Sequence, residues 1–126
     1  MIINFLIIIQ GNMNISDLLE KNNIAIVAKA DLKNKRFEIL KKDIELESYD
    51  LFEQLVLFNN IDNLMASVNG QILPRIWSQG NTKCVICQPK DEEIVALFYD
   101  TYMDAKDNYF YAEQLDLLLK EISSCK

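Results

Sequence analysis

Apolar residues along this chain fall into two rhythms, and each change of rhythm marks a new element. Asn14 or Ser16 can cap a short helix reaching Lys21, with Asp17 and Glu20 near its positive end and Ile15, Leu18 and Leu19 on one face. Residues 24–30 are β-branched and predict a strand with Ile24, Ile26 and Ala28 on one side. Residues 31–34 are turn-forming, and residues 36–40 alternate again through Phe37 and Ile39, which completes a β-hairpin. After a charged connection, Ser48 reads as the N-cap of a long helix extending to about Val68. Its apolar positions (Leu51, Leu55, Phe58, Ile61, Met65 and Val68) recur at spacings of three and four, Asn59 and Asn60 are a weak point in its middle, and Gly70 stands where a left-handed terminator belongs.

Three strands follow at short spacing. Residues 72–78 form the first, and Pro74 places it at a sheet edge or sits near its start, because proline donates nothing to a ladder. Residues 83–88 barely alternate, as expected of a central strand covered on both faces. Residues 94–99 form the third. A helix opened by Asp104 or Asp107 ends the pattern, with Tyr109, Ala112, Leu115, Leu119 and Ile122 as its apolar stripe and Phe110 and Leu118 beside it. The expected fold class is α/β: a three-layer α/β/α sandwich around a mostly antiparallel five-stranded sheet, in the order α-β-β-α-β-β-β-α.

Composition narrows the chemistry. The 126 residues fit one domain, expected over residues 13–126, with half the residues hydrophobic. A formal net charge of -6 is the wrong sign for a nucleic-acid binder and disfavours anionic membranes. The chain contains no His, which excludes Ser-His and Cys-His nucleophiles and removes the commonest metal ligand. The odd number of cysteines (Cys84, Cys87 and Cys125) and the lack of an evident secretory signal indicate reduced thiols in a cytoplasmic protein. Residues 1–12 carry an apolar run too short to span a bilayer. Two readings of that run stand: an extra strand, or a start-site artefact with Met13 as the native start.

Few residues invite a chemical role. Cys84 and Cys87 form a CxxC pair, but no second pair exists for zinc. In a strand, residues three apart face opposite sides, so both read as core thiols. Asp43, Glu45 and Glu47, like Asp91, Glu92 and Glu93, sit in connections and read as solvated turns. The isolated glycines exclude a phosphate loop, and no cofactor is expected. The stronger candidates concern association. Arg75 and Trp77 on the Pro74 strand are residue types enriched at binding hot spots. Phe52, Val56 and Leu57 widen the stripe of the long helix beyond one face, which predicts an exposed apolar patch for self-association. Tyr99, Tyr102, Tyr109, Phe110 and Tyr111 read mainly as core aromatics.

The element order resembles the roadblock / dynein light chain domain, a relative of longin and profilin-like folds. The resemblance covers residues 14–122 and is carried by element order, with residues 68–73 as the nearest local echo. Such domains form homo- or heterodimers through the long helix and third strand, and many are non-catalytic regulators or scaffolds for small Ras-like GTPases. The resemblance therefore implies a homodimer, or a pair with a paralogous domain, using residues 51–68 and 72–78. The turn at residues 31–34 departs from the small, Gly-containing turn common in that family. The rival expectation is an acidic inhibitor or immunity-type protein whose carboxylates mask a basic partner. An enzyme is not expected.

Overall fold

A computed structural model of the chain describes residues 15–124. Residues 1–12, Asn14 and Cys125, with the expectations attached to them, lie outside the described residues. The elements are α1 (Ile15–Lys21), β1 (Ile26–Asp31), β2 (Arg36–Lys41), α2 (Asp50–Phe52), a π-helical turn (Glu53–Leu57), α3 (Ile61–Val68), β3 (Arg75–Gln79), β4 (Thr82–Lys90), β5 (Glu93–Asp100) and α4 (Ala105–Ser124). All strand pairs are antiparallel, and the sheet runs β2-β1-β5-β4-β3. The expected fold class and element order are both present.

Each face of the sheet packs its own core. On one side Ile26, Ala28, Cys84, Ile86 and Phe98 meet Phe52, Val56, Leu64 and Val68 from the α2–α3 layer. On the other, Val27, Val85, Cys87, Val95 and Leu97 meet Leu18 of α1 and Ala112, Leu115 and Leu119 of α4. β4 and β5 are buried on both faces, so the weak alternation of residues 83–88 did report a central strand. Ile24 departs from its predicted side: it lies before β1 and joins the α1–α4 core, opposite Ile26 and Ala28.

The long helix is broken. Phe58 leaves helical geometry at φ -104°, and Asn60 accepts a hydrogen bond from Asn63 N through its side chain, capping α3 afresh. Asn59 donates its side-chain amide to Leu55 O, which ties off the preceding turn. The helix starts after Tyr49, and the Ser48 hydroxyl donates to Gln79 Oε1 instead of capping it. Paired asparagines compete with the helical ladder for the backbone, which is the physical reason for the break. Gly70 does take the left-handed conformation, φ +76°, just past the end of α3. Asp31 holds its turn through bonds from Lys33 N and Asn34 N to Oδ1. Asp104 Oδ1 accepts from Asp107 N and opens α4 as an N-cap does.

Two expected surface residues belong to the core. Phe52 is 1% exposed and stacks edge-on against Phe98 at 5.2 Å, and Val56 is 3% exposed. Phe58 and Met65 of the predicted stripe are exposed instead, and the buried face of this layer runs through Leu51, Phe52, Val56, Ile61, Leu64 and Val68. Of Phe52, Val56 and Leu57, only Leu57 is exposed.

Candidate interaction edge

β3 is an outer strand, and its hydrogen-bond parity follows from the turn beside it. Gln79 and Thr82 flank a two-residue loop whose first position, Gly80, has φ +59°, as a mirror-image hairpin turn requires. Asn81 O accepts from Thr101 N across the β4–β5 pair, so the odd-numbered residues of β4 from Lys83 face β5 and the even-numbered ones face β3. The pairs 79/82, 77/84 and 75/86 therefore carry the β3–β4 bonds, and the backbone groups of Ile76 and Ser78 point to the open edge.

The side chains of this edge divide between the two faces. Ile76 packs against the α1–α4 core. Arg75 and Trp77 lie on the α2–α3 face, where Trp77 packs partly against the core beside Leu55 and Leu73. The Arg75 guanidinium stacks 4.6 Å from the Trp77 ring, and its Nη1 donates to Ser67 O at 3.4 Å. This fixes a planar cation over an indole at the strand that ends the sheet. The Trp77 Nε1–H is buried and has no acceptor among the described residues. Such a donor costs about 1–3 kcal/mol, so packing alone is poor use of an indole here. Ile72, three residues before β3, is uncovered as well, at 88% exposed.

The other candidates do not converge on chemistry. Cys84 and Cys87 are buried on opposite faces of β4, which is the geometry of core thiols. Burial pushes both thiols far up from their ordinary value, and the neighbouring Asp116 carboxylate adds to the effect at Cys87. That is the opposite of an activated nucleophile. No cluster of three or more metal-ligating side chains occurs among the described residues. A cleft of about 300 Å³ at the β1–β2 hairpin end is lined by Lys29, Asp31, Arg36, Glu38 and neighbouring charges. Lys29 there bridges Glu93 at 3.4 Å and Glu38 at 3.8 Å, which is the charge balance of a solvated sheet end.

No protein-family model matches the chain. No curated protein matches it either.

Glu47, in one of the acidic connections, is used within the fold. Glu47 accepts from Asn81 Nδ2 and from the Tyr102 hydroxyl, and its own N–H donates to Asp100 Oδ2. Ser48 N donates to Thr82 Oγ1, whose hydroxyl donates to Asp100 Oδ1 at 2.5 Å. These bonds strap the β2–α2 connection to the tip of the β3–β4 hairpin. The aromatic group around α4 splits in two. Tyr99 is buried, donates to Asn108 Oδ1 at 2.7 Å and meets Tyr111 edge-on, while Tyr102, Tyr109 and Phe110 face outward. No helix among the described residues is long and apolar enough to cross a membrane.

Proposed function

We propose that this chain is a non-catalytic, cytoplasmic regulator or scaffold that works by binding proteins, pairing with a second copy or a paralogous domain along β3. The observation that carries this reading is the unprotected β3 edge, with the outward backbone of Ile76 and Ser78 and the Arg75–Trp77 stack beside it. An open edge adds a strand through main-chain bonds, and the neighbouring side chains give the addition its specificity. Leu57 remains a flanking candidate, while Phe52 and Val56 support the surface from inside. The element order, like that of the roadblock / dynein light chain domain, suggests a small Ras-like GTPase as the partner class.

The acidic-inhibitor reading finds less support. Glu47 and Glu93 already have partners within the chain, so two of its proposed contacts are engaged.

Molar mass in solution by light scattering, followed by capture of small GTPases in both nucleotide states, tests the proposal. A dimer that Ser78→Pro converts to smaller species and a retained GTPase support it. A monomer at all concentrations that retains no GTPase contradicts it.

A further inference from the structure

The β3–β4 region has a charge balance opposite to that of the whole chain. Residues 63–90 contain Arg75, Lys83 and Lys90 and no Asp or Glu, within a chain of net charge -6. Glu47 and Asp100 sit at the tip of the β3–β4 hairpin, where Asn81 and Thr82 donate to them. Arg75 enters none of the ion pairs among the described residues. Its one acceptor there is Ser67 O, at the long distance of 3.4 Å, although a guanidinium can serve several. The Trp77 Nε1–H in the same stack has no acceptor at all.

Strand pairing fixes where a missing acceptor would come from. The backbone of Ile76 and Ser78 faces the open edge, so an added antiparallel strand bonds through them. That strand sets one residue opposite Arg75 and another opposite Trp77, both with side chains on the α2–α3 face. A second copy pairing through its own β3 must match outward residues with outward residues. Only its odd-numbered residues then come opposite Arg75 and Trp77. Around β3 these are Leu73, Arg75, Trp77, Gln79 and Asn81, and none is acidic. A second copy can therefore supply the backbone bonds but no carboxylate. We infer that β3 selects an added strand that carries an Asp or Glu opposite Arg75 or Trp77, and that such a strand displaces a second copy from the edge. This inference rests on the reading of β3 as the pairing edge.

The stack prepares Arg75 for this role. A guanidinium already held against an indole loses little freedom when a carboxylate arrives, and the pair that forms is charge-assisted. A lysine at the same position of the added strand meets a like charge instead, which turns wrong partners away.

The test titrates the unmodified chain with short blocked peptides of alternating Val and Thr that carry a central Glu, Gln or Lys. Trp77 is the chain's only tryptophan, so its fluorescence follows occupancy beside Arg75. The Glu peptide should bind about tenfold more tightly than the Gln peptide, and the Lys peptide more weakly than either. The Glu peptide should also lower the solution mass of the self-paired chain at concentrations where the Gln peptide does not. Arg75→Gln should abolish the preference for Glu and leave the affinity for the Gln peptide unchanged. If Arg75→Gln does not fold by circular dichroism, the ratio in the unmodified chain still decides, and it should shrink as salt is added. Equal binding of all three peptides, with the Ile76 and Ser78 amides protected from exchange, overturns the inference and leaves the β3 edge standing. A preference for Glu that persists in a folded Arg75→Gln chain overturns it too. Binding of none of the peptides overturns the inference, and amides of Ile76 and Ser78 that also stay unprotected at every chain concentration overturn the edge reading with it.

Discussion

The two outer strands of the sheet are built differently. β2 carries Arg36, Glu38 and Lys41 among its six residues, and Lys29 bridges to Glu38 beside it. Lys42 N donates to Ala25 O, which fixes the parity of the β1–β2 pair and turns the backbone of Phe37, Ile39 and Lys41 outward. The open groups on that edge thus sit among charges, which is how natural sheets discourage pairing. β3 has only Arg75 as a charge, and that charge is stacked on Trp77 and bonded to Ser67 O. Its open groups at Ile76 and Ser78 have no guarding lysine or glutamate on the strand. Both edges offer similar backbone valence, but β2 carries more charges, so the proposed pairing falls on β3.

Five substitutions and one change of conditions break or sharpen this contrast. The largest effect belongs to the core on which β3 rests. Phe52→Ala should cost about 3–5 kcal/mol, measured by urea unfolding, and remove the binding edge with the fold. Next, Ser78→Pro should weaken self-association along β3 at least tenfold while the circular dichroism spectrum persists, because that N–H faces outward. Ile39→Pro, also at an outward N–H, should leave the solution mass unchanged, since β2 is not the pairing edge.

A smaller effect comes from alkali. Burial pushes the Tyr111 hydroxyl from 10 up to about 12, and this group donates to Asn22 O. The unfolded chain gives up that proton first. Stability from this group is therefore complete below about pH 10 and falls as pH rises towards about 12. Thermal melts across that window should show the decline, and Tyr111→Phe should make it shallower. Dissociation below pH 10 would then report on the edges and not on this tyrosine. The smallest effect is expected of Trp77→Phe. It removes the unpartnered buried donor, so the melting temperature should hold or rise slightly while association weakens.

Much of the fold was legible because each strand announced itself by local chemistry. Asp31 built its turn, Gly80 supplied the hairpin conformation, and Pro74 marked the strand that proved to be an edge. The long helix was harder to read. Its periodicity runs through residues 51–68, yet Asn59 and Asn60 satisfy the backbone locally and end one helix to begin another. Phe52 and Val56 lie before that break, and their burial against the sheet is a tertiary contact that periodicity cannot see. Arg75 and Trp77 were singled out by residue type and a neighbouring proline, and the structure stacks them on β3. Phe110, read beside the buried stripe of α4, is half exposed, because it lies away from Ala112, Leu115 and Leu119 on the helix.

The unprotected β3 edge is tested most directly by amide hydrogen exchange at single-residue resolution across a protein concentration series. The amides of Ile76 and Ser78 should gain protection as concentration rises, while those of Phe37, Ile39 and Lys41 on β2 stay unchanged. Exchange at Ile76 and Ser78 that is independent of concentration, or protection that rises at β2 instead, would contradict the account.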